Sequence, residues 1–162
     1  MAWNKRGFLL AEETLKIIIA VIAIAFLIYF LVSIYFAKVN GDKLVQAASL
    51  LTESDESFKI IFNNLSEGET KTRDIIEPKG WELFGFADSE LKPNSCAGEN
   101  CLCICDGVIW DGFNSDRQQK GCDEKGVCLI ESELGNFDNV KITGKLQIIS
   151  IRKTGGRIYL NE

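Results

Sequence analysis

The feature that most constrains this sequence is an uncharged apolar run from Ile17 to Phe36. The run is 20 residues long, and Ser33 is its one clearly polar member. A helix rises about 1.5 Å per residue, so a run of this length matches the ~30 Å hydrocarbon core of a bilayer. The whole-chain averages hide the run, because charged residues make up 25% of the chain. We therefore predict a transmembrane helix attached to a polar remainder.

Charges beside the run predict its orientation. Lys5 and Arg6 precede it, and positive residues favour the cytoplasmic side, although Lys38 and Lys43 on the far side weaken this signal. A conventional cleaved signal peptide has a shorter apolar region and a small-residue cleavage site, which the segment 33–37 does not match. We expect a single-pass membrane protein with its N-terminus in the cytoplasm and its C-terminal domain outside.

A second pattern lies at the beginning of the apolar segment. The basic pair is followed by Gly7 and Phe8, and Glu12 comes five residues after the glycine. A carboxylate close to a membrane is costly and indicates a function. This arrangement resembles the type IV prepilin signal. The chain is also similar to uncharacterised single-span archaeal proteins with a cysteine-rich tail.

The resemblance implies specific roles for these residues. A prepilin-type peptidase would cut after Gly7 and leave Phe8 as the new N-terminus. Glu12 would pair with the free amine of Phe8 in a neighbouring subunit during filament assembly, because opposite charges attract strongly at low dielectric. The implied partners are the lipid bilayer, the peptidase and other pilin-like subunits.

The sequence also departs from that family. Glu13 and Lys16 add charges where pilins are usually apolar, and no proline interrupts the span. The alternative is a simple signal anchor, in which Glu12 and Glu13 lie in the lipid headgroup layer.

Apolar positions beyond the span predict that the helix continues to about residue 65. They form a heptad-like stripe of Leu44, Ala48, Leu51, Phe58, Phe62 and Leu65. We favour packing of this stripe against the chain's own β domain, with helix–helix packing in a filament or oligomer as the alternative. Asn40-Gly41 is a point where the helix can kink.

The remaining residues predict a small antiparallel β domain and an α+β fold that resembles pilins. Strands are predicted at 81–86, 101–105 and 126–130, with a hairpin at 145–151 and 157–160. Residues 66–78 are predicted to be a polar connection and 112–125 a polar loop, while 108–110 extend the second strand or form a short one. The predicted organisation is a leader at 1–7, a transmembrane helix at 8–36, an extramembrane helix at 37–65 and a cysteine-rich β domain at 66–162.

Six cysteines lie within this domain: Cys96, Cys101, Cys103, Cys105, Cys122 and Cys128. Side chains alternate along a strand, so Cys101, Cys103 and Cys105 share one face and are too far apart to bridge readily with one another. Each is expected to bond with one of the other three, which leaves six possible connectivities. An even number of cysteines in an exported domain favours three disulfides.

Metal binding and thiol redox activity are the alternatives for the cysteines, although the usual Cys-x2-Cys chelating pairs are absent. Nearby Asp106, Asp111, Asp116 and Asp123 suggest calcium, but they lack the spacing of a calcium loop and are more simply solvated carboxylates.

Composition restricts the possible functions further. The chain has no histidine and a net charge of −5. The lack of histidine excludes nucleophile pairs with histidine and metal sites with histidine ligands. The negative net charge excludes a strongly basic nucleic-acid binder. No nucleotide-binding or hydrolase motif is present, so we expect neither an enzyme nor a cofactor.

The sequence thus predicts a structural subunit of a type IV pilus-like surface filament. The alternatives are a single-pass protein whose outer domain binds a ligand or partner without forming filaments, and a metal or thiol redox module. Asn64-Leu65-Ser66 is also an N-glycosylation sequon, a triplet that is frequent by chance.

Overall fold

The computed structural model describes residues 5–88, 91–106 and 121–162, with side chains from Glu13 onward. The chain divides into two compact units, Met1–Gly41 and Asp42–Glu162. Helix α1 (Lys5–Ala48) accounts for the described residues of the first unit, and its last residues belong to the second. The Asn40-Gly41 pair does not interrupt it.

The predicted single helix ends earlier than residue 65. After Ala48 the chain forms a π-helical turn (Ser49–Glu53) and a bend, and a separate helix α2 follows (Phe58–Asn63). Ser54 and Ser57 bracket the bend with extended backbone, at ψ angles of 155° in both cases. Serine and aspartate compete for backbone hydrogen bonds and so favour bends over helix interiors.

The predicted stripe is buried within the second unit. Leu51, Phe58, Phe62 and Leu65 are all at most 5% exposed and belong to the main core of this unit. One position shifts, because Ala47 takes the fully buried place expected for Ala48. Packing of the stripe against the chain's own β domain, the favoured prediction, is confirmed.

Two antiparallel sheets complete the second unit, so the α+β prediction is confirmed. One has the strand order β1-β6-β7 and the other the order β4-β3-β2-β5. The strands are β1 (Thr70–Ile75), β2 (Trp81–Phe86), β3 (Cys101–Asp106), β4 (Gly126–Ile130), β5 (Val140–Lys141), β6 (Gln147–Thr154) and β7 (Arg157–Asn161).

The sequence-based prediction missed β1 and β5. Strand β1 lies inside the segment 66–78 that was expected to be a polar connection, because only Ile75 of its six residues is buried. Residues 121–125 of the predicted polar loop are helical, and residues 108–110 and 112–120 lie outside the described residues.

Strand β3 separates two clusters of buried side chains. Leu102 and Ile104 face the main core, which also contains the inner residues of β6 and β7. Cys101, Cys103 and Cys105 face the opposite way and pack with Phe84 and Phe86 of β2. The register places Phe84 beside Cys103 and Phe86 beside Cys101. The side chains of paired residues therefore lie on the same face of the sheet in both strands.

Three side chains attach the β6–β7 hairpin to other parts of the second unit. The Glu67 carboxylate accepts hydrogen bonds from the backbone N–H groups of Gly155 and Gly156 in the hairpin turn, at 2.5 and 3.1 Å. Lys153 pairs with Glu133 at 2.5 Å. Arg157 pairs with Asp88, and the hydrogen bond from this guanidinium lowers the pKa of the Asp88 carboxyl.

Gly85 of β2 lies against the ring of Phe137, which packs on the main core. A β-carbon at position 85 would fall 2.2 Å from a ring carbon of Phe137. We expect Gly85→Ala to destabilise the second unit by about 1–3 kcal/mol, as for other overpacking substitutions. Thermal unfolding of the full chain in detergent, followed by near-ultraviolet circular dichroism, measures this.

Gly41→Ala is the matched control, since a β-carbon at this helical glycine meets nothing within 4 Å. It should not destabilise the second unit, since alanine favours a helix more than glycine does. Phe137→Ala removes the clashing ring, so the Gly85→Ala change should cost little in that background. Full additivity of the two substitutions would contradict the proposed contact.

The Asp88–Arg157 pair predicts a pH dependence. Because the folded pKa of Asp88 is lowered, its contribution to stability is present above its unfolded pKa and is lost as pH falls through the folded value. Asp88→Asn should lower the unfolding temperature near neutral pH, and this difference from wild type should shrink below about pH 4. Asparagine tolerates the left-handed backbone at this position, where φ is 53°. A constant difference across pH would contradict the role of the charge.

Candidate functional site

The apolar surface of α1 is the first candidate functional feature. Every residue from Glu13 to Lys38 is exposed, including large side chains such as Phe26 and Leu31, each 65% exposed. The stretch Glu13–Asn63, which runs from α1 to α2, contains a segment of mean hydropathy 3.1 that qualifies by length and composition as a candidate membrane span. Within a helix all backbone polar groups bond inside the segment, as a hydrocarbon environment requires.

The residues predicted for processing and assembly lie at the start of the same helix. Gly7, Phe8 and Glu12 fall in the first two turns of α1, which begins at Lys5. The side chains of Phe8 and Glu12 lie outside the described side chains. Their roles therefore stay predictions.

The cysteine cluster, the six cysteines around β3, is the second feature. The structure forms three disulfides, Cys96–Cys101, Cys103–Cys128 and Cys105–Cys122. Each cysteine of the β3 row is bonded to one of the other three, as expected, and one of the six possible connectivities is selected.

Local structure explains this pairing. Cys103 and Cys128 are directly opposite in the register of β3 and β4, with Cα atoms 4.1 Å apart. Cys96 ends a 3-10 turn (Asn94–Cys96) that precedes β3. Cys122 lies in the helical residues 121–125 beside Gly126, where an added β-carbon would fall 2.8 Å from Cys105 Sγ. The close approach of this third bridge thus requires glycine.

Two of the bridges touch each other in a buried position. The Sγ atom of Cys103 lies 3.8 Å from the Sγ atoms of both Cys96 and Cys101. Together with Cys128, these sulfurs lie within 4.8 Å of one another, a spacing compatible with a four-thiolate metal site. In the disulfide state each sulfur is bonded to another sulfur, so a metal would require reduction of both bridges.

Asp123 forms hydrogen bonds with the turn that precedes Cys96. Its carboxylate accepts hydrogen bonds from Asn94 Nδ2 at 2.9 Å and from the backbone N–H of Ser95 at 3.2 Å. The Ser95 hydroxyl also donates to Cys128 Sγ at 3.3 Å. Of the suggested calcium carboxylates, Asp123 therefore has a structural use, while Asp111 and Asp116 lie outside the described residues.

A groove of about 580 Å³ between α2 and β1 is a feature that the sequence analysis did not identify. At its wall the Arg73 guanidinium pairs with the Glu56 carboxylate at 2.5 Å, and the arginine side chain is 15% exposed. The signal available in the sequence was the alternation of Thr70, Lys71, Thr72 and Arg73, which is typical of a strand with two different faces. The α2–β1 groove is lined by Asp55, Glu56, Ile60, Ile61, Asn64, Thr70, Lys71, Thr72, Arg73 and Asp74.

In comparisons with known proteins, no family model matches this chain, and neither a curated protein nor a solved structure matches it. The features of the chain that bear on its function are an exposed apolar helix and a small β unit with three disulfides.

The disulfides differ in the chain length that they close, which is 25 residues for Cys103–Cys128 and 5 for Cys96–Cys101. Removing a bridge by two Cys→Ala changes should lower the free energy of unfolding by about 2–4 kcal/mol. Because of loop-closure entropy, the decrease should be larger by about 1.4 kcal/mol for the bridge that closes the longer loop. Chemical unfolding of the two double variants measures the difference. Equal losses would contradict this entropic account.

Proposed function

We propose that the chain is a membrane-anchored, pilin-like structural protein and a subunit of a type IV pilus-like filament. Its N-terminus would lie in the cytoplasm and its second unit outside the membrane. The observation that carries the proposal is the combination of an exposed apolar helix with a small disulfide-bonded β unit. The resemblance of residues 5–12 to a prepilin signal supports it.

The exposed helix supports assembly through α1. Its side chains between Glu13 and Lys38 are exposed, and lipid or other protein would cover so large an apolar surface. A subunit that leaves the bilayer for a filament exchanges lipid for neighbouring helices. Packing between helices then replaces packing against lipid chains.

The disulfides of the second unit support its proposed location outside the cytoplasm. All six cysteines are bridged, and such bridges persist in oxidising compartments but are rare in the cytosol. With the second unit outside and the basic residues Lys5 and Arg6 inside, α1 would cross the membrane once.

Glu12 would supply the directional part of the assembly. After cleavage behind Gly7, the amine of Phe8 and the Glu12 carboxylate would be opposite charges at the same end of the helix. Pairing between subunits in a poorly solvated setting fixes one register between helices. Removal of one partner from such a pair costs about 3–5 kcal/mol, because the other charge is left uncompensated.

N-terminal mass spectrometry and a substitution test this function. We expect the mature chain to begin at Phe8, and Glu12→Ala to remain in the membrane while disappearing from sheared surface filaments. Immunoblots of membrane and sheared fractions measure both results. Glu13→Ala is the matched control, since it removes an equal charge one residue away and should still assemble.

Three outcomes would contradict the proposal. A chain with Met1 intact and no form beginning at Phe8 would exclude pilin processing. Normal filaments with Glu12→Ala would exclude the proposed charge pair. Equal loss of assembly with Glu12→Ala and Glu13→Ala would show that charge alone matters and position does not.

The α2–β1 groove favours a second candidate function, which is binding of a ligand or partner by a single-pass protein that forms no filaments. Its lining combines Ile60 and Ile61 with charged side chains of both signs. In a binding site the two isoleucines would give apolar contact and the charged side chains would orient the ligand. An unprocessed chain without filaments would favour this candidate.

A further inference from the structure

The Asn64-Leu65-Ser66 triplet lies at the surface immediately after α2. Asn64 and Ser66 are exposed, while Leu65 between them is 5% exposed and anchored in the main core. The Asn64 backbone has already left the helix, with φ −108° and ψ 12°. The asparagine amide and the serine two residues later, which a sequon must present together, are thus accessible on either side of a fixed apolar residue.

The hydrogen bonds of Asn64 are compatible with modification. Its Nδ2 donates to the Ile60 carbonyl at 2.9 Å in an exposed position, where water replaces the bond at little cost. Its backbone carbonyl accepts a hydrogen bond from Lys71 Nζ at 2.9 Å. The residue is therefore held beside β1 through its main chain, and its side chain is not needed for that contact.

A second asparagine triplet in the chain gives a useful contrast. Asn94-Ser95-Cys96 has the weaker Asn-x-Cys form, but Cys96 is fully buried and bonded to Cys101. The Asn94 side chain also donates a hydrogen bond to the Asp123 carboxylate. Asn64 begins the one Asn-x-Ser/Thr triplet in the sequence.

Asn64 is also a lining residue of the α2–β1 groove, which follows β1. Strand β1 pairs with β6 on one edge, and no strand among the described residues pairs with its other edge. Open strand edges favour unwanted pairing with other chains, and proteins commonly cover them. A hydrophilic group on Asn64 would lie next to β1, since the Lys71 side chain of this strand donates to the Asn64 carbonyl.

We propose that Asn64 is the acceptor of an N-linked glycan that lies over the α2–β1 groove. In the reaction, Asn64 Nδ2 bonds to the anomeric carbon of a lipid-linked oligosaccharide, and the bond from that carbon to the lipid phosphate breaks. The proton lost by the nitrogen goes to the transferase. This inference depends on the proposed function in one respect, since the second unit must lie on the non-cytoplasmic side.

Synthesis of the full chain in the presence of rough microsomes tests the inference. Wild type should show a gel shift that an endoglycosidase removes. Asn64→Gln and Ser66→Ala should abolish the shift, and Ser66→Thr should keep it, because threonine preserves the sequon.

A control sequon separates the two possible failures. Asp138→Thr in the Asn64→Gln background creates a sequon that begins at Asn136, and both of these residues are exposed in the second unit. A shift of this control without a shift of wild type would overturn the glycan at Asn64 and leave the topology intact. No shift in either protein would overturn the outside location and the glycan with it.

Amine labelling tests the position of the glycan. In glycosylated wild type, Lys71 in the groove should react several-fold more slowly than in the unglycosylated Ser66→Ala variant, which retains Asn64. Lys145, which is exposed and is not a lining residue, should react equally in both proteins. Equal labelling of Lys71 would show that the glycan does not cover the groove.

Discussion

Strand β3 carries the constraint on which the second unit depends, because its two faces serve different cores. Leu102 and Ile104 complete the aliphatic main core, while the cysteines between them enter a cluster of sulfur and aromatic side chains. A shift of one residue in its register would exchange the two faces and place sulfur in the aliphatic core. The Cys103–Cys128 bridge opposes such a shift, since it joins directly opposite residues of β3 and β4.

Much of the apolar sequence of this chain lies in α1, which is consistent with a second unit stabilised by disulfides. The residues from Ile17 to Phe36 belong to the first unit and are all exposed. A small unit with a limited apolar core commonly gains stability from covalent bridges. Here two of the bridges also join short segments to β3, the turn ending at Cys96 and the helical residues around Cys122.

Strong periodic signals allowed most of the fold to be predicted from the sequence. Alternation in 101–105 gave the cysteine face, and the heptad-like stripe gave the buried side of the helices. Strand β1 was missed because its stabilisation comes from pairing with β6 and from the Arg73–Glu56 contact, which are long-range interactions. The break at Ser54–Ser57 was missed because an apolar stripe continues in phase across it. The groove depends on both features, so the alternation in residues 70–73 was not enough to indicate it.

In the proposed filament, the charge of the subunits opposes their association, while the apolar surface of α1 favours it. The residues after Phe36 include 15 basic and 21 acidic ones, so these portions of neighbouring subunits repel one another on average. Attraction must then come from α1, yet exchange of lipid contacts for helix contacts gives little net driving force. A directional interaction is therefore needed to select the filament over the membrane, and the proposed pair between Glu12 and a neighbouring N-terminal amine would supply one. This balance explains why one carboxylate at the start of an otherwise apolar helix would decide assembly.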